Sequence, residues 1–436
     1  NTARLVFGKG DTIFAGSSKL SFEQSGKNNF SHYVTSYAKG KEGVARLVFS
    51  DSAKVEVDSG GTIDTFRAGY YSDSIYGTGI VEFVSSASYA PAVNIYVGGP
   101  TGHGTAIIGA GNVKFTGRGF CVGCAGACLY GKSKLSGGVG HLVVTGGVLN
   151  LTGTGGVSEG TLRGLRVGDG AGFGIQNDGS TNAVDYTPWQ GYYLQTGGVT
   201  TNKNSTCVGG ERAIGSFRQT GGIFRQTGST FPFMTGIRGG KGEAHFDGGE
   251  ATIAGDVYVG GVFTNAIPHS AGTENPLSKY GWGGDGHYGT GLFSVSNGTV
   301  ELKKNLNLGY DGTGIVERVG SQGSFAVTGN VTMSNMVANA SASILRFVLD
   351  ADGIKPMQVG GTVTATEGSR IEVDISAYAG KKGRHALLTA SAIEGCFADA
   401  EIRSAEGGPK ASGAKVVVEQ TGIYLTLPTG IALIFR

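Results

Sequence analysis

Short segments ending on an apolar residue and then Gly recur along the chain. They are Ile95-Tyr96-Val97-Gly98, Phe120-Cys121-Val122-Gly123, Leu165-Arg166-Val167-Gly168, Thr206-Cys207-Val208-Gly209, Val257-Tyr258-Val259-Gly260 and Leu306-Asn307-Leu308-Gly309. Phe66-Arg67-Ala68-Gly69 is a looser copy, and Ile237-Arg238-Gly239 is off by one. The residue before the Gly is small and aliphatic. The residue three before it is mostly apolar, and the one between is mixed. This alternation of period two predicts a strand with one face inward.

A second element, a turn of small residues, lies 12 residues upstream of the closing Gly: Ser86-Ala87, Gly111-Asn112, Gly197-Gly198, Gly248-Gly249 and Asn297-Gly298. Gly and Asn supply the positive φ that such a corner needs. A third element leads into a strand: Gly77-Thr78-Gly79-Ile80, Gly289-Thr290-Gly291-Leu292 and Gly312-Thr313-Gly314-Ile315. The unit therefore reads corner, strand, tight turn, strand, bend, strand, Gly. The most compact copy spans 25 residues, Gly98 to Gly123, and the 51 residues from Gly209 to Gly260 should hold two coils. A β-propeller needs about 40–50 residues in every repeat, which the compact copy excludes. A β-sandwich would not give one constant turn-to-Gly offset. The reading is an all-β, right-handed parallel β-helix, or β-solenoid, whose Val column forms an internal ladder.

Composition agrees. Of 436 residues 81 are Gly, and only 16% are charged, a poor basis for helices. The Gly residues do not fall at every third position, so collagen is excluded. No apolar run is long enough for a membrane-spanning helix. A net charge of +2 is too mild to propose nucleic acid as a partner. The sequence opens on Asn1 with no leader, as expected of a mature product after signal removal.

Residues 1–319 read as the Gly-rich solenoid. From Gly320 onward Gly falls to 15 of 117 residues, and longer apolar stretches appear, so 320–436 reads as final coils and a C-terminal β cap. Insertions are expected at about 169–191 and 261–289. They carry Tyr186 and Trp189, and Tyr280, Trp282 and Tyr288. Such loops either offer flat rings to a glycan or protein partner or fold back and bury their own Trp. The apolar runs Leu5-Val6-Phe7 and Ile431, Leu433, Ile434 and Phe435 either join subunits head to tail or cap their own ends.

His385 to Phe397, with Leu387-Leu388-Thr389-Ala390 and Ile393-Glu394-Gly395-Cys396-Phe397, then Gly422-Ile423-Tyr424-Leu425, and the Gly-Gly turns earlier, resemble Gly-rich bacterial surface solenoids related to autotransporter passenger domains. The resemblance implies export, a β-helical body and a surface or adhesive role. It supplies no catalytic motif. A membrane barrel, which a full autotransporter adds, does not follow Arg436, so a released passenger or free-standing relative is expected.

Candidate chemistry is sparse. Cys121, Cys124 and Cys128 resemble half a zinc knuckle, but a second ligand pair is missing, so no metal and no cofactor is expected. Disulfides among Cys121, Cys124, Cys128 and Cys207 fit an exported protein. Cys121 and Cys207 share a column but lie two coils apart, too far to bridge, which favours Cys124 with Cys128 or Cys128 with a neighbouring loop. No carboxylate occupies the outward position two before the Gly, where a glycan-cleaving solenoid would place one. The expectation is an extracellular, non-enzymatic structural or adhesive protein that polymerises. The alternative is a β-helix that binds or cleaves polysaccharide with the two Trp loops.

Overall fold

The computed structural model describes residues 2–22, 31–36, 38–39, 43–57, 63–72, 75–87, 89, 92–99, 102–117, 119–124, 137–153, 164–169, 188–210, 213–237, 239–261, 289–310, 312–335, 342–379, 382–404 and 413–428. Every regular element among them is a strand. The chain is an all-β parallel solenoid.

One coil shows the plan. His103–Ile108, Asn112–Phe115 and Gly119–Cys124 follow one another, and each pairs in parallel with its counterpart one coil on: Val139–Val144, Val148–Leu151 and Gly164–Asp169. Three columns of strands result. The first runs from Gly10–Phe14 to Glu401–Arg403. The third runs from Thr2–Phe7 to Ala392–Phe397. The second joins Asn112–Phe115 to Gly383–Thr389 through the intervening coils.

The interior follows from the alternation. Val97, Val122, Val167, Val208, Val259 and Leu308 stand one above another in the third column, all fully buried. The first column contributes Leu142, Tyr193, Phe217, Ala244 and Phe293 in one row. There Tyr193 stacks on Phe217 with ring centroids 4.5 Å apart and planes 5° apart, near the spacing of adjacent strands. Each such side chain withdrawn from water contributes roughly 1.5–3 kcal/mol, and only neighbouring coils can bury it.

One repeat copy is corrected by the structure. The segment in register with Val208 and Val259 is Phe233-Met234-Thr235-Gly236, not Ile237-Arg238-Gly239. The left-handed turn falls at Gly236 (φ 60°), so Thr235 occupies the Val position. The interval from Gly209 to Gly260 does contain two coils, as expected.

The corner between the third column and the next coil explains the abundance of glycine. Gly123 has φ 60°, and a Cβ there would lie 1.7 Å from the carbonyl oxygen of Gln190. A Cβ on Gly191 would meet the Gly168 nitrogen at 2.0 Å and the Val122 oxygen at 2.2 Å. Backbone packs directly on backbone, which only glycine allows.

The two ends differ. Among the described residues, Thr2–Phe7, Gly10–Phe14 and Lys19–Phe22 each pair on one side only. At the other end Gly422–Leu427 pairs antiparallel with both Gly383–Thr389 and Lys415–Glu419, which closes the second column with a hairpin.

Candidate functional site: a buried thiol and guanidinium cluster

The outward row of the third column departs from the half-buried strand that the sequence pattern predicts. Cys121, Arg166, Cys207 and Met234 point away from the solenoid interior, yet all are 2% exposed or less. Both faces of this column are therefore buried over these coils.

The cluster arises from the Gly corner. In an unbroken strand, residues three apart point to opposite faces. The left-handed Gly123 resets the alternation, so Cys124 comes to lie against Cys121 in a small buried group with Tyr96. One coil on, the register places Arg166 over Cys121 and Asp169 over Cys124, and a coil later Cys207 and Gly210 follow. The Arg166 Nη2 donates to Cys121 Sγ at 2.6 Å, and its Nη1 lies 3.5 Å from Asp169 Oδ2. Cys124 Sγ donates to the carbonyl oxygens of Arg166 at 3.3 Å and Val122 at 3.5 Å. Gly210 leaves room for Asp169, since a Cβ there would come within 2.4 Å of its Oδ1.

The electrostatics separate the two thiols. Burial opposes ionisation of Cys121, but the hydrogen bond from Cys124 and the charge of Arg166 outweigh it and set its pKa below the ordinary thiol range. Burial, reinforced by Cys121, pushes Cys124 well above that range. Burial would discharge Arg166, but Cys121 and Asp169 keep it charged. The result is one thiol prone to ionise beside one that keeps its proton. Arg166 and Asp169 were missed as members of this site. Their signal lay in the repeat itself, because residues two before and one after the closing Gly read Cys/Cys, Arg/Asp and Cys/Gly in successive coils.

Cys121 and Cys124 are free thiols. Cys207 is separated from Cys121 by the Arg166 strand, as the two-coil spacing requires. Cys128 lies outside the described residues. Among the described residues no group of three His, Cys, Asp or Glu side chains is placed to hold a metal ion.

The Trp loops divide. Trp189 is only 2% exposed and packs against Ala213, so it is not an open ring for a partner. The strands also trim its insertion, since Asp169 ends one strand and Gln190 begins the next. Tyr186, Tyr280, Trp282 and Tyr288 lie outside the described residues. On the outer face of the first column the structure instead sets His141 on Tyr192, with rings 4.7 Å apart and planes 9° apart. Both residues follow a corner glycine, Gly140 and Gly191, which is the sequence signal that could have found them.

At the first coil, Val6 is 39% and Ile13 57% exposed, while Phe7 turns inward and meets Phe14 edge-on at 6.1 Å. Leu5 is partly buried on the same strand. Ile431, Leu433, Ile434 and Phe435 lie outside the described residues. Comparison with known proteins matches no family model and no curated protein.

Proposed function

We propose that the chain is an exported structural or adhesive rod, of the kind found among Gly-rich surface solenoids, and that it associates with copies of itself. The observation that carries this reading is the interior ladder of Val97, Val122, Val167, Val208 and Val259, buried and repeated from coil to coil. Among the described residues, Thr2–Phe7, Gly10–Phe14 and Lys19–Phe22 have one edge without a pairing, with Val6 and Ile13 exposed beside them, whereas Gly422–Leu427 closes the second column with a hairpin. An open parallel edge is a template for another strand. Contact between unlike ends does not close on itself, so a filament results. The continuous interior ladder supplies the stiffness such a role needs. Catalysis is not part of this proposal.

Negative-stain images of the purified protein test it. Ordered fibres are expected, and Ile13→Lys together with Val6→Glu should convert them to single rods. Monodisperse rods that bind a polysaccharide would replace this reading with glycan recognition. The paired rings of His141 and Tyr192 are the surface that favours that second reading.

A further inference from the structure

We propose that Cys121 and Cys124 form a redox site, a dithiol that a peroxide closes to a disulfide, with Cys121 as the attacking sulfur and Cys124 as the resolving one. The proposal goes beyond the rod reading and does not depend on it.

Three observations on geometry carry it. The two sulfurs share one buried group because Gly123 turns the chain between them. A guanidinium donates directly to one sulfur, Cys121, while the other, Cys124, lies within hydrogen-bond distance of two carbonyl oxygens. The next thiol along the column, Cys207, is two coils away with Arg166 between, so Cys124 is the partner within reach among the described residues. The lowered pKa of Cys121 and the raised pKa of Cys124 assign the roles in the same sense. Burial of both sulfurs favours an oxidant the size of a water molecule or two over a bulky disulfide.

The chemistry balances. Ionised Cys121 attacks one oxygen of hydrogen peroxide, the O–O bond breaks, and the departing hydroxide takes up the proton that Cys121 released. Cys121 becomes a sulfenic acid, and one water is formed. The Cys124 sulfur then attacks the Cys121 sulfur, the S–O bond breaks, and the leaving hydroxide takes the Cys124 proton as a second water. In total a dithiol and one peroxide give a disulfide and two waters, with the sulfurs losing two electrons and the peroxide oxygens gaining them. Arg166 then keeps Asp169 as its charged partner, and the corner is pinned covalently.

The test uses the full chain carrying Cys128→Ser, because cleavage after Arg118 and Lys132 leaves Cys121, Cys124 and position 128 in one peptide. The reduced protein is treated with hydrogen peroxide under native conditions, alkylated and mapped by mass. Residues 119–132 are expected to lose both alkylation sites and two hydrogens, while Cys207 and Cys396 stay alkylated. Arg166→Met should slow the reaction about tenfold and move its rate–pH profile to higher pH, with Arg166→Lys between it and the parent. If Arg166→Met does not fold, Cys124→Ser is the second variant, and it should stop at a sulfenic acid on Cys121 that dimedone traps. The inference is overturned if peroxide leaves both thiols alkylatable, if Cys207 or Cys396 reacts first, or if the rate is the same in denaturant as in the folded chain.

Discussion

Arg318 pairs with Val295 across the first column and takes the same inward position one coil later. It is 1% exposed and has no carboxylate within ion-pair distance among the described residues. Carbonyl oxygens surround it instead. Nη1 donates to Val295 at 3.1 Å, Ser296 at 2.7 Å and Val319 at 2.7 Å, Nε donates to Lys355 at 3.1 Å, and Nη2 donates to Gln322. Burial pulls its pKa down to about 10, so it remains charged at neutral pH. In the same row Gln195 donates its side-chain amide to the carbonyls of Gly198 and Ile223, and Gln219 to those of Gly222 and Glu250, at the Gly-Gly turns and the strand starts that follow them. The corner between the first and second columns thus leaves carbonyls facing inward, and an inward polar side chain satisfies them. Arg318→Leu should cost about 3 kcal/mol or more in denaturant unfolding, because it strands those oxygens. Arg318→Gln, which copies the solution used three and four coils away in this row at Gln219 and Gln195, should cost less than half as much.

Thr235 takes the Val position between Val208 and Val259 and is fully buried. Its Oγ1 has no hydrogen-bond partner among the described residues. Thr235→Val keeps the shape and removes a buried, unsatisfied hydroxyl. The variant should be more stable by about 1 kcal/mol, read as a higher denaturation midpoint at unchanged slope. A loss of stability would show that the hydroxyl is satisfied.

The close backbone approach at the corner predicts a graded glycine series. Gly191→Ala places a Cβ 2.0 Å from a backbone nitrogen and should prevent soluble folding or cost several kcal/mol. At Gly16 (φ 61°) nothing lies within 4 Å, so Gly16→Ala should cost only the left-handed strain, about 1 kcal/mol. Gly8→Ala meets nothing within 4 Å and has no such φ, so it should be neutral. Thermal unfolding of the three variants gives the order.

The outer ring pair predicts a pH dependence. Burial against its neighbours, and then the nearby His103, lower the pKa of His141 below the ordinary histidine value of 6.5. The unfolded chain therefore binds this proton more readily than the folded one. Stability from this group is complete above pH 6.5 and falls as pH drops through the folded value. His141→Gln should flatten that acid slope, while mutation of an exposed lysine should not.

The repeat was legible because coils stacked in register impose the same demand at the same offset. The buried Val97, Val122, Val167, Val208 and Val259 are that demand, and they could be read from alternation and spacing alone. The copy at Thr235 was not legible. Two glycines, Gly236 and Gly239, can both take the left-handed turn, and only the pairing with Val208 chooses between them. The thiols were legible as residues but not as a site, because their partner Arg166 is 45 residues from Cys121 and meets it only through the parallel register.

By itself, the sequence determined the class of fold, the inward faces and the points where the chain must turn, since these follow from local alternation and from glycine's freedom at positive φ. The tertiary structure alone decided which outward side chains are buried, which residues of different coils touch, and which ring is open to solvent. Burial of Trp189 and Cys121, and the charge carried inside at Arg318, depend on what packs over each position, and a one-dimensional pattern does not encode that neighbour.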